Sequence, residues 1–307
     1  MAVRITGALL NPPDSIDRNG IAIGLTAYLL WGVLPLYLIW ISDVPALEVL
    51  AHRVLWAVPF GAAILTYRKQ WGEAKLALTH KLVFLVFVAA AIMIAINWLL
   101  YIYAVQSAQV FQASLGYYIN PLIFVAVGML FFGEDLRALQ RLAVLLAATG
   151  VTVLTVSGGQ FPVIAMVLAI SFTVYSIIRK KAVIGAMPGL FVETVILLPF
   201  ALGYLLYTSV QGTAVFPVTT LEMQLLLIAA GPITVVPLLC FAIAARRLRM
   251  ATIGFMQFLA PSLQFVIGYL YGEELTLPHL ICFLFIWAAV FAFSTDAIRA
   301  SRRPVPA

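Results

Sequence analysis

The stretch LVFLVFVAAAIMIAINWLLYIYAV, residues 82–105, carries no charged side chain and is bounded by Lys81 and Gln106. An α-helix needs about 20 apolar residues to cross a bilayer core, and this run supplies them without a break. It does not alternate apolar with polar residues, as the roughly ten-residue strands of a membrane β-barrel do. The run reads as one membrane-spanning helix. Outward from it, polar breaks separate nine further apolar runs: 20–41, 45–67, 110–132, 139–157, 161–178, 188–208, 223–245, 250–271 and 277–297. The expected fold is all-α, a polytopic membrane protein with ten transmembrane helices.

Composition agrees. Of 307 residues, 64% are hydrophobic and 10% charged, against about 45–50% and 25% in soluble proteins. Ten spans consume about 200 apolar residues, so short loops remain and no soluble domain. A soluble globule could not hide that much apolar surface, which excludes a soluble enzyme, a nucleic-acid binder and a disordered regulator. The net charge of +6 is read as loop charge rather than as a site for an acidic polymer. Cys240 and Cys282 fall in apolar runs, so neither a disulfide framework nor a metal knuckle is expected. Residues 1–19, with Asn11-Pro12-Pro13, Asp14 and Asp17, read as a polar tail without a cleavable targeting segment.

Loop charge sets the orientation. The N-terminal tail holds Arg4 and Arg18; the second loop holds Arg68, Lys69, Lys75 and Lys81; the fourth holds Arg137 and Arg141. The sixth loop holds Arg179, Lys180 and Lys181, the eighth Arg246, Arg247 and Arg249, and the C-terminal tail Arg299, Arg302 and Arg303. The odd-numbered loops, around Asp43, Gln106, Gly158, Gln211 and Glu273, hold neither Lys nor Arg. Cytoplasmic loops carry the basic excess, so both termini are expected in the cytoplasm. The clusters at Arg179–Lys181 and Arg246–Arg249 read as topology anchors beside anionic lipid heads.

The chain also resembles itself. Ser114-Leu-Gly116 through Gly133-Glu134-Asp135-Leu136 parallels Thr252-Ile-Gly254 through Gly272-Glu273-Glu274-Leu275. Arg53-Val-Leu-Trp-Ala-Val-Pro59-Phe60 parallels Glu193-Thr-Val-Ile-Leu-Leu-Pro199-Phe200, an offset of 140 residues. Five spans per half is an odd number, so the second copy inserts upside down. The expected organisation is a cytoplasmic tail 1–19, a five-helix repeat 20–157, its inverted copy 161–297 and a cytoplasmic tail 298–307. Inverted repeats accompany alternating access, with the solute site between the halves near the midplane.

Particular stretches resemble a known family. His52-Arg53-Val54, Asn97-Trp98-Leu99-Leu100, Ala113-Ser-Leu-Gly-Tyr-Tyr-Ile-Asn-Pro-Leu122, Arg179-Lys180-Lys181, Pro237-Leu-Leu-Cys-Phe241 and Gly254-Phe-Met-Gln-Phe258 are similar to the RarD family of EamA-type transporters. That family belongs to the drug/metabolite transporter superfamily. The resemblance runs from about Gly20 to Arg299 and implies ten helices in two inverted halves. It also implies a bacterial inner-membrane permease for a small organic solute, with chloramphenicol-like compounds among the candidates.

The residues themselves narrow the chemistry. No Gly-Lys pair exists and hence no phosphate loop. His52, His80 and His279 are too scattered for a metal site, and no Gly-x-Ser-x-Gly elbow occurs. No cofactor, metal or catalytic residue is expected. An ionisable group at the centre of a spanning helix costs at least about 2.5–3.5 kcal/mol, so such groups are functional candidates. Glu48, His52, Arg53 and Glu193 are the ones that stand out, and Glu48 and His52, four residues apart, can meet on one face. A direct Arg53–Glu193 pair would need helix tilt to close a vertical gap of about 10 Å. The neutral candidates for solute binding are Trp31, Asn97, Tyr101, Ser114, Tyr117, Asn120, Tyr175 and Gln257, with Tyr28 and Trp98 beside them. The fourth and ninth spans each carry a Gly followed by a Pro, and such interrupted pairs loosen backbone that can hydrogen-bond a solute. Helix packing alone would also account for them. Gly133-Glu134-Asp135 and Gly272-Glu273-Glu274 read as helix ends followed by acidic caps of the next helix.

The expected function is secondary transport of a small amphipathic or zwitterionic solute, with Glu48, His52, Arg53 and Glu193 offering a route to proton coupling. A membrane-embedded sensor or scaffold, or an intramembrane enzyme using His52 as base, are the alternatives. Expected partners are the solute, the lipid bilayer and protons, but not nucleic acid, in a monomer or homodimer. Cysteine labelling is predicted to place residues near Lys75, Lys180 and Arg302 inside and those near Gln211 outside. Labelling of the Lys75 and Gln211 loops from the same side would overturn the inverted repeat.

Overall fold

The computed structural model describes residues 17–132, 137–159, 161–216, 218–245, 247–248 and 256–301. Regular structure among them is helical throughout: α1 (Arg18–Gly32), α2 (Leu34–Trp40), α3 (Ala46–Arg68), α4 (Trp71–Thr79), α5 (Lys81–Gln106), α6 (Val110–Phe132), α7 (Ala138–Gly158), α8 (Val163–Lys181), α9 (Ala186–Val210), α10 (Leu221–Ala245), α11 (Leu259–Leu270) and α12 (Leu277–Ser301). Among the described residues, seven helical stretches are long and apolar enough to cross a membrane: α1 with α2, α3, α5, α7, α9, α10 and α12. Val163–Arg179 and Leu259–Leu270 are shorter apolar helices. Gly133–Leu136, Thr252–Gly254, Arg4, Arg246, Arg249, Arg302 and Arg303, used in the sequence reading, lie outside the described residues.

The structure departs from expectation in two places. The first apolar run is broken at Val33, because Pro35 has no N–H to offer the Trp31 carbonyl one turn back. Gln264 Nε2 donates to that carbonyl instead, at 3.2 Å. The second loop is not plain loop but contains α4, whose buried Ala74 and Ala77 seat it against α5 and α9.

α3 lies at the centre, packed on α9 and α10 and also touching α5. Around it, α1 packs on α10 and α11, α8 on α5 and α6, α5 on α9, α6 on α11, and α7 on α12. Among the described residues three apolar clusters result: a large one around α3, α5 and α9, a second around α6, α7 and α12, and a small one joining Tyr28 of α1 to Met256 and Ala260. The outer faces stay apolar: Phe200, Val156 and Phe291 are each at least 75% exposed, as suits side chains solvated by lipid tails.

The α3–α10 crossing is close because Gly231 has no side chain. A Cβ there would lie 2.5 Å from the Trp56 carbonyl oxygen, a backbone atom that cannot swing aside. Gly231→Ala is predicted to destabilise the detergent-solubilised protein by about 1–3 kcal/mol, the usual penalty for overpacking. Gly203, with nothing within 4 Å, supplies the control. Equal thermal shifts for Gly231→Ala and Gly203→Ala would refute the close crossing.

Candidate functional site

The buried run Glu48–Val54 faces inward because α3 has neighbours on three sides. Glu48 Oε1 accepts from the backbone N–H groups of Val215 at 2.8 Å and Phe216 at 3.3 Å, tying the segment after α9 to α3. His52 Nε2 lies 4.0 Å from the same oxygen, and its ring rests on Phe216 with centroids 4.9 Å apart. Both imidazole nitrogens are buried with no hydrogen-bond partner.

Arg53 is one residue further, about 100° round the helix, and meets other elements. Its Nε donates to Thr234 Oγ1 of α10 at 2.7 Å, and its guanidinium carbon sits 4.3 Å from the Trp98 ring centroid. The three neighbours in sequence therefore divide into a Glu48–His52 pair and a separate Arg53. Nor does Arg53 meet Glu193. The Glu193 carboxylate accepts from the Tyr175 hydroxyl at 3.1 Å and lies 3.4 Å from Arg179 Nε. Arg179 is thus no plain lipid anchor, since its side chain is 13% exposed and it also donates to the Gly185 and Ala186 carbonyls. Tyr175 and Arg179, at i and i+4 on α8, were the signal for it, because an intramembrane carboxylate needs a cation and a donor on one facing stripe.

The neutral candidates separate into groups. Asn97 Nδ2 donates to the Leu168 carbonyl at 3.0 Å and to Ser171 Oγ at 3.1 Å, while its Oδ1 accepts from the Tyr117 hydroxyl at 3.3 Å. Its amide is engaged by the protein, so Asn97 joins α5 to α8 and positions Tyr117. Ser114 Oγ donates to the Pro261 carbonyl at 2.8 Å and joins α6 to α11. Tyr101 and Tyr117 face each other at 5.6 Å, and Phe172 carries the aromatic line on to Tyr175. Trp31 belongs to a different cluster, with Tyr28 and Phe241. Asn120 Oδ1 is buried without a partner, and Gln257 is half-buried between α10 and α11 in sequence. Sequence reasoning missed Tyr37, Thr234 and Gln264, all buried.

The acidic segment after α11 corrects another expectation. Gly272, at φ +83°, follows the end of that helix, but Glu273 does not cap the next one. Its carboxylate accepts from the Phe111 N–H at 2.9 and 3.1 Å, at the start of α6. Glu73 likewise accepts from the Gly185 N–H at 2.7 Å, at the start of α9. Burial pushes the Glu273 carboxyl up to about 7, opposed by the Phe111 and Val110 N–H groups. Two open clefts, of about 420 Å³ beside α4 and about 580 Å³ between α3 and α10 near Arg68 and Arg247, include none of the candidate residues.

Comparison with known proteins places this arrangement. The EamA-like transporter family profile matches residues 18–156. An uncharacterized transporter of Pseudomonas aeruginosa is 44% identical, spanning 93% of this chain and 96% of its own length. Protein RarD of Escherichia coli is 43% identical, spanning 93% and 97%. The chain belongs to the RarD family of EamA-type transporters. A chloramphenicol-sensitive protein RarD of Pseudomonas aeruginosa is a more distant member, 29% identical over 94% of this chain and 97% of its own. A solved crystal structure shares the fold, with a TM-score of 0.60 at 21% identity over 93% of this chain and 99% of that one. As a RarD-family member with multiple apolar helices, the chain is a multi-pass membrane transporter of the drug/metabolite superfamily.

The Glu273 tie has a pH signature. Wetting the carboxyl by breaking the tie returns it toward 4.5, so tying takes up a proton between pH 4.5 and 7. The tied form is favoured most below about 4.5, loses ground as pH rises to 7, and is level above. Hydrogen exchange at the Phe111 amide, corrected for intrinsic rate, is predicted to accelerate across that window and to lose the slope in Glu273→Gln. A His279→Gln control separates the imidazole whose ring lies 6.1 Å from that of Phe111. An unchanged slope in Glu273→Gln would refute the assignment.

Proposed function

We propose that this RarD-family member is a secondary transporter moving a small organic solute by alternating access between two inverted halves, residues 20–157 and 161–297. Each half contributes five spans, and ten in all cross a bacterial inner membrane with both termini in the cytoplasm. The observation that carries the reading is the pattern of helix pairs. Exchanging α1, α3, α5, α6 and α7 for α8, α9, α10, α11 and α12 maps the most extensive helix pairings onto one another, whereas the smaller α5–α6, α6–α7 and α6–α12 contacts are not matched. The pairs α3–α9, α6–α11 and α7–α12 map onto themselves. The pair α1–α10 maps to α8–α5, α1–α11 to α8–α6, and α3–α10 to α9–α5, and every one of these contacts occurs. A pseudo-two-fold axis between halves is the geometry in which one site opens alternately to either side.

The solute site is assigned to the facing surfaces of α3, α5, α6, α8 and α10, with Tyr101, Tyr117 and Tyr175 as aromatic wall and Asn97 and Ser114 as its supports. Trp31, Asn120 and Gln257 complete the assignment on the α1 and α11 side. Chloramphenicol-like neutral amphiphiles enter as candidate solutes through the name of the Pseudomonas relative. The Glu48–His52 pair is assigned to proton coupling, because a titratable imidazole with two unpartnered nitrogens lies beside a carboxylate inside the bundle. The unit is a monomer or homodimer in the bilayer, with no catalytic residue, cofactor or nucleic-acid partner.

The test is solute uptake into proteoliposomes over a metabolite and drug panel, with and without a pH gradient. Glu48→Gln keeps an oxygen for the Val215 N–H, and His52→Ala removes the imidazole. Both are predicted to abolish pH-driven accumulation and to spare exchange at equal pH. Accumulation against a gradient in both variants would end the coupling assignment, and absence of protein-dependent flux for the whole panel would end the transport reading.

A further inference from the structure

The Arg53 side chain sits in an unusual electrostatic position. It is 8% exposed, and a guanidinium stays charged wherever it is placed. Burying that charge is unfavourable unless an anion or a set of acceptors answers it. Among the described residues no carboxylate lies within 4.0 Å of it, and Glu48 and Glu193 are both committed elsewhere. Its one hydrogen bond there is from Nε to Thr234. The Trp98 ring covers a face of the guanidinium plane. With the Nε side held and a face covered, the edge formed by the two terminal nitrogens remains for a planar acceptor.

The surroundings point the same way. Trp98 and Tyr101 are three residues apart on α5 and share a face of it, so the guanidinium over Trp98 lies on the side where Tyr101 faces Tyr117 at 5.6 Å. Tyr37 donates to the Leu226 carbonyl and Tyr117 to Asn97, but the Tyr101 hydroxyl is buried with no partner. An unanswered cation and an unanswered hydroxyl lie together beside aromatic rings. A carboxylate answers both at once: two parallel N–H···O bonds from Arg53, and a third from Tyr101. The rings of Trp98, Tyr101 and Tyr117 then offer flat apolar surface to the body of the solute.

We propose that Arg53, with Tyr101, is the anion-recognition point of the solute site, and that the solute is a monocarboxylate with a planar apolar body. This rests on the transport reading and narrows it from a small organic solute to a singly anionic aromatic one. No free carboxylate among the described residues stands opposite Arg53 to hold an ammonium group, so the site favours a monoanion over a zwitterion or a cation.

The test pairs carboxylates with their neutral amides. The purified full-length protein is titrated with benzoate against benzamide, cinnamate against cinnamamide, and indole-3-acetate against indole-3-acetamide. Phenylalanine and benzylamine supply the zwitterion and the cation. Trp98 sits at the site and allows a fluorescence readout, backed by ligand-induced thermal shift. At least one carboxylate is expected to bind at least tenfold more tightly than its amide, and Arg53→Gln is expected to erase that preference while leaving amide binding in place. Tyr101→Phe, which keeps the ring, is expected to reduce the preference several-fold and covers the case in which Arg53→Gln does not fold. The proposal is overturned if no carboxylate in the panel binds, if amides, phenylalanine or benzylamine bind as well as carboxylates, or if the preference survives in the variants. Proteoliposome flux separates the two readings. Arg53-dependent carboxylate binding without flux sinks transport and keeps the site, whereas amide or amine flux without carboxylate preference sinks the site and keeps transport.

Discussion

Hydrocarbon offers no hydrogen bonds, so every charge and every freed backbone group inside this bundle has to be answered by the protein or by what it carries. The equivalent positions Arg53 on α3 and Glu193 on α9 show the constraint at work. Glu193 has both a cation and a hydroxyl, with Arg179 Nε 3.4 Å away and Tyr175 donating to it. Arg53 has a neutral hydroxyl and an aromatic face. The two stretches match in sequence, but their polar partners do not. A perfectly symmetric bundle would bind an asymmetric solute in two opposed poses of equal energy. The unequal answers given to Arg53 and Glu193 remove that degeneracy.

A second consequence is the way carboxylates reach across the chain. Glu48 holds the N–H groups of Val215 and Phe216, and Glu273 holds that of Phe111, both at the end poor in Lys and Arg. Glu73 holds the N–H of Gly185 at the opposite end, where Arg137 also donates to Asp296 at 2.8 Å. Hydrogen bonds to charged groups contribute about 1.5–3 kcal/mol each, enough to hold an end shut but few enough to release. Such ties therefore occur at both ends of the bundle. Alternating access then requires one set to part while the other holds.

Seven long spans among the described residues were legible because lipid demands long apolar runs, such as residues 82–105. The short α4 was hidden because it lies along an end of the bundle, so only Ala74 and Ala77 are buried and no run forms. The candidate site was half legible. Charge in a span flagged Arg53, Glu48, His52 and Glu193, but spacing along one helix could not say which side chains of other helices each would meet. Arg179 was counted as loop charge, since a basic residue at a span end looks the same whether it faces lipid or a carboxylate. Glu273 was read against the helix that follows it, while its donor is 162 residues earlier. Thr234 and Gln264 left the weakest trace, as neutral side chains on apolar helices.

Proline accounts for part of what pattern reading overlooks, because it releases a carbonyl one turn earlier and so creates a demand elsewhere. Pro35 releases the Trp31 carbonyl, and Gln264 of α11 meets it, stitching the first helix to the other half. Pro59 and Pro199 sit at equivalent places within α3 and α9, six residues beyond Arg53 and Glu193. Each removes one hydrogen bond from its helix and gives it a place to bend. The bend points lie between the buried charges and the far ends of the same two helices. A helix flexing there moves an end without unpacking its charged centre. On the proposed alternating-access reading, bending of this kind would let the ends part in turn while the polar contacts of Arg53 and Glu193 persist.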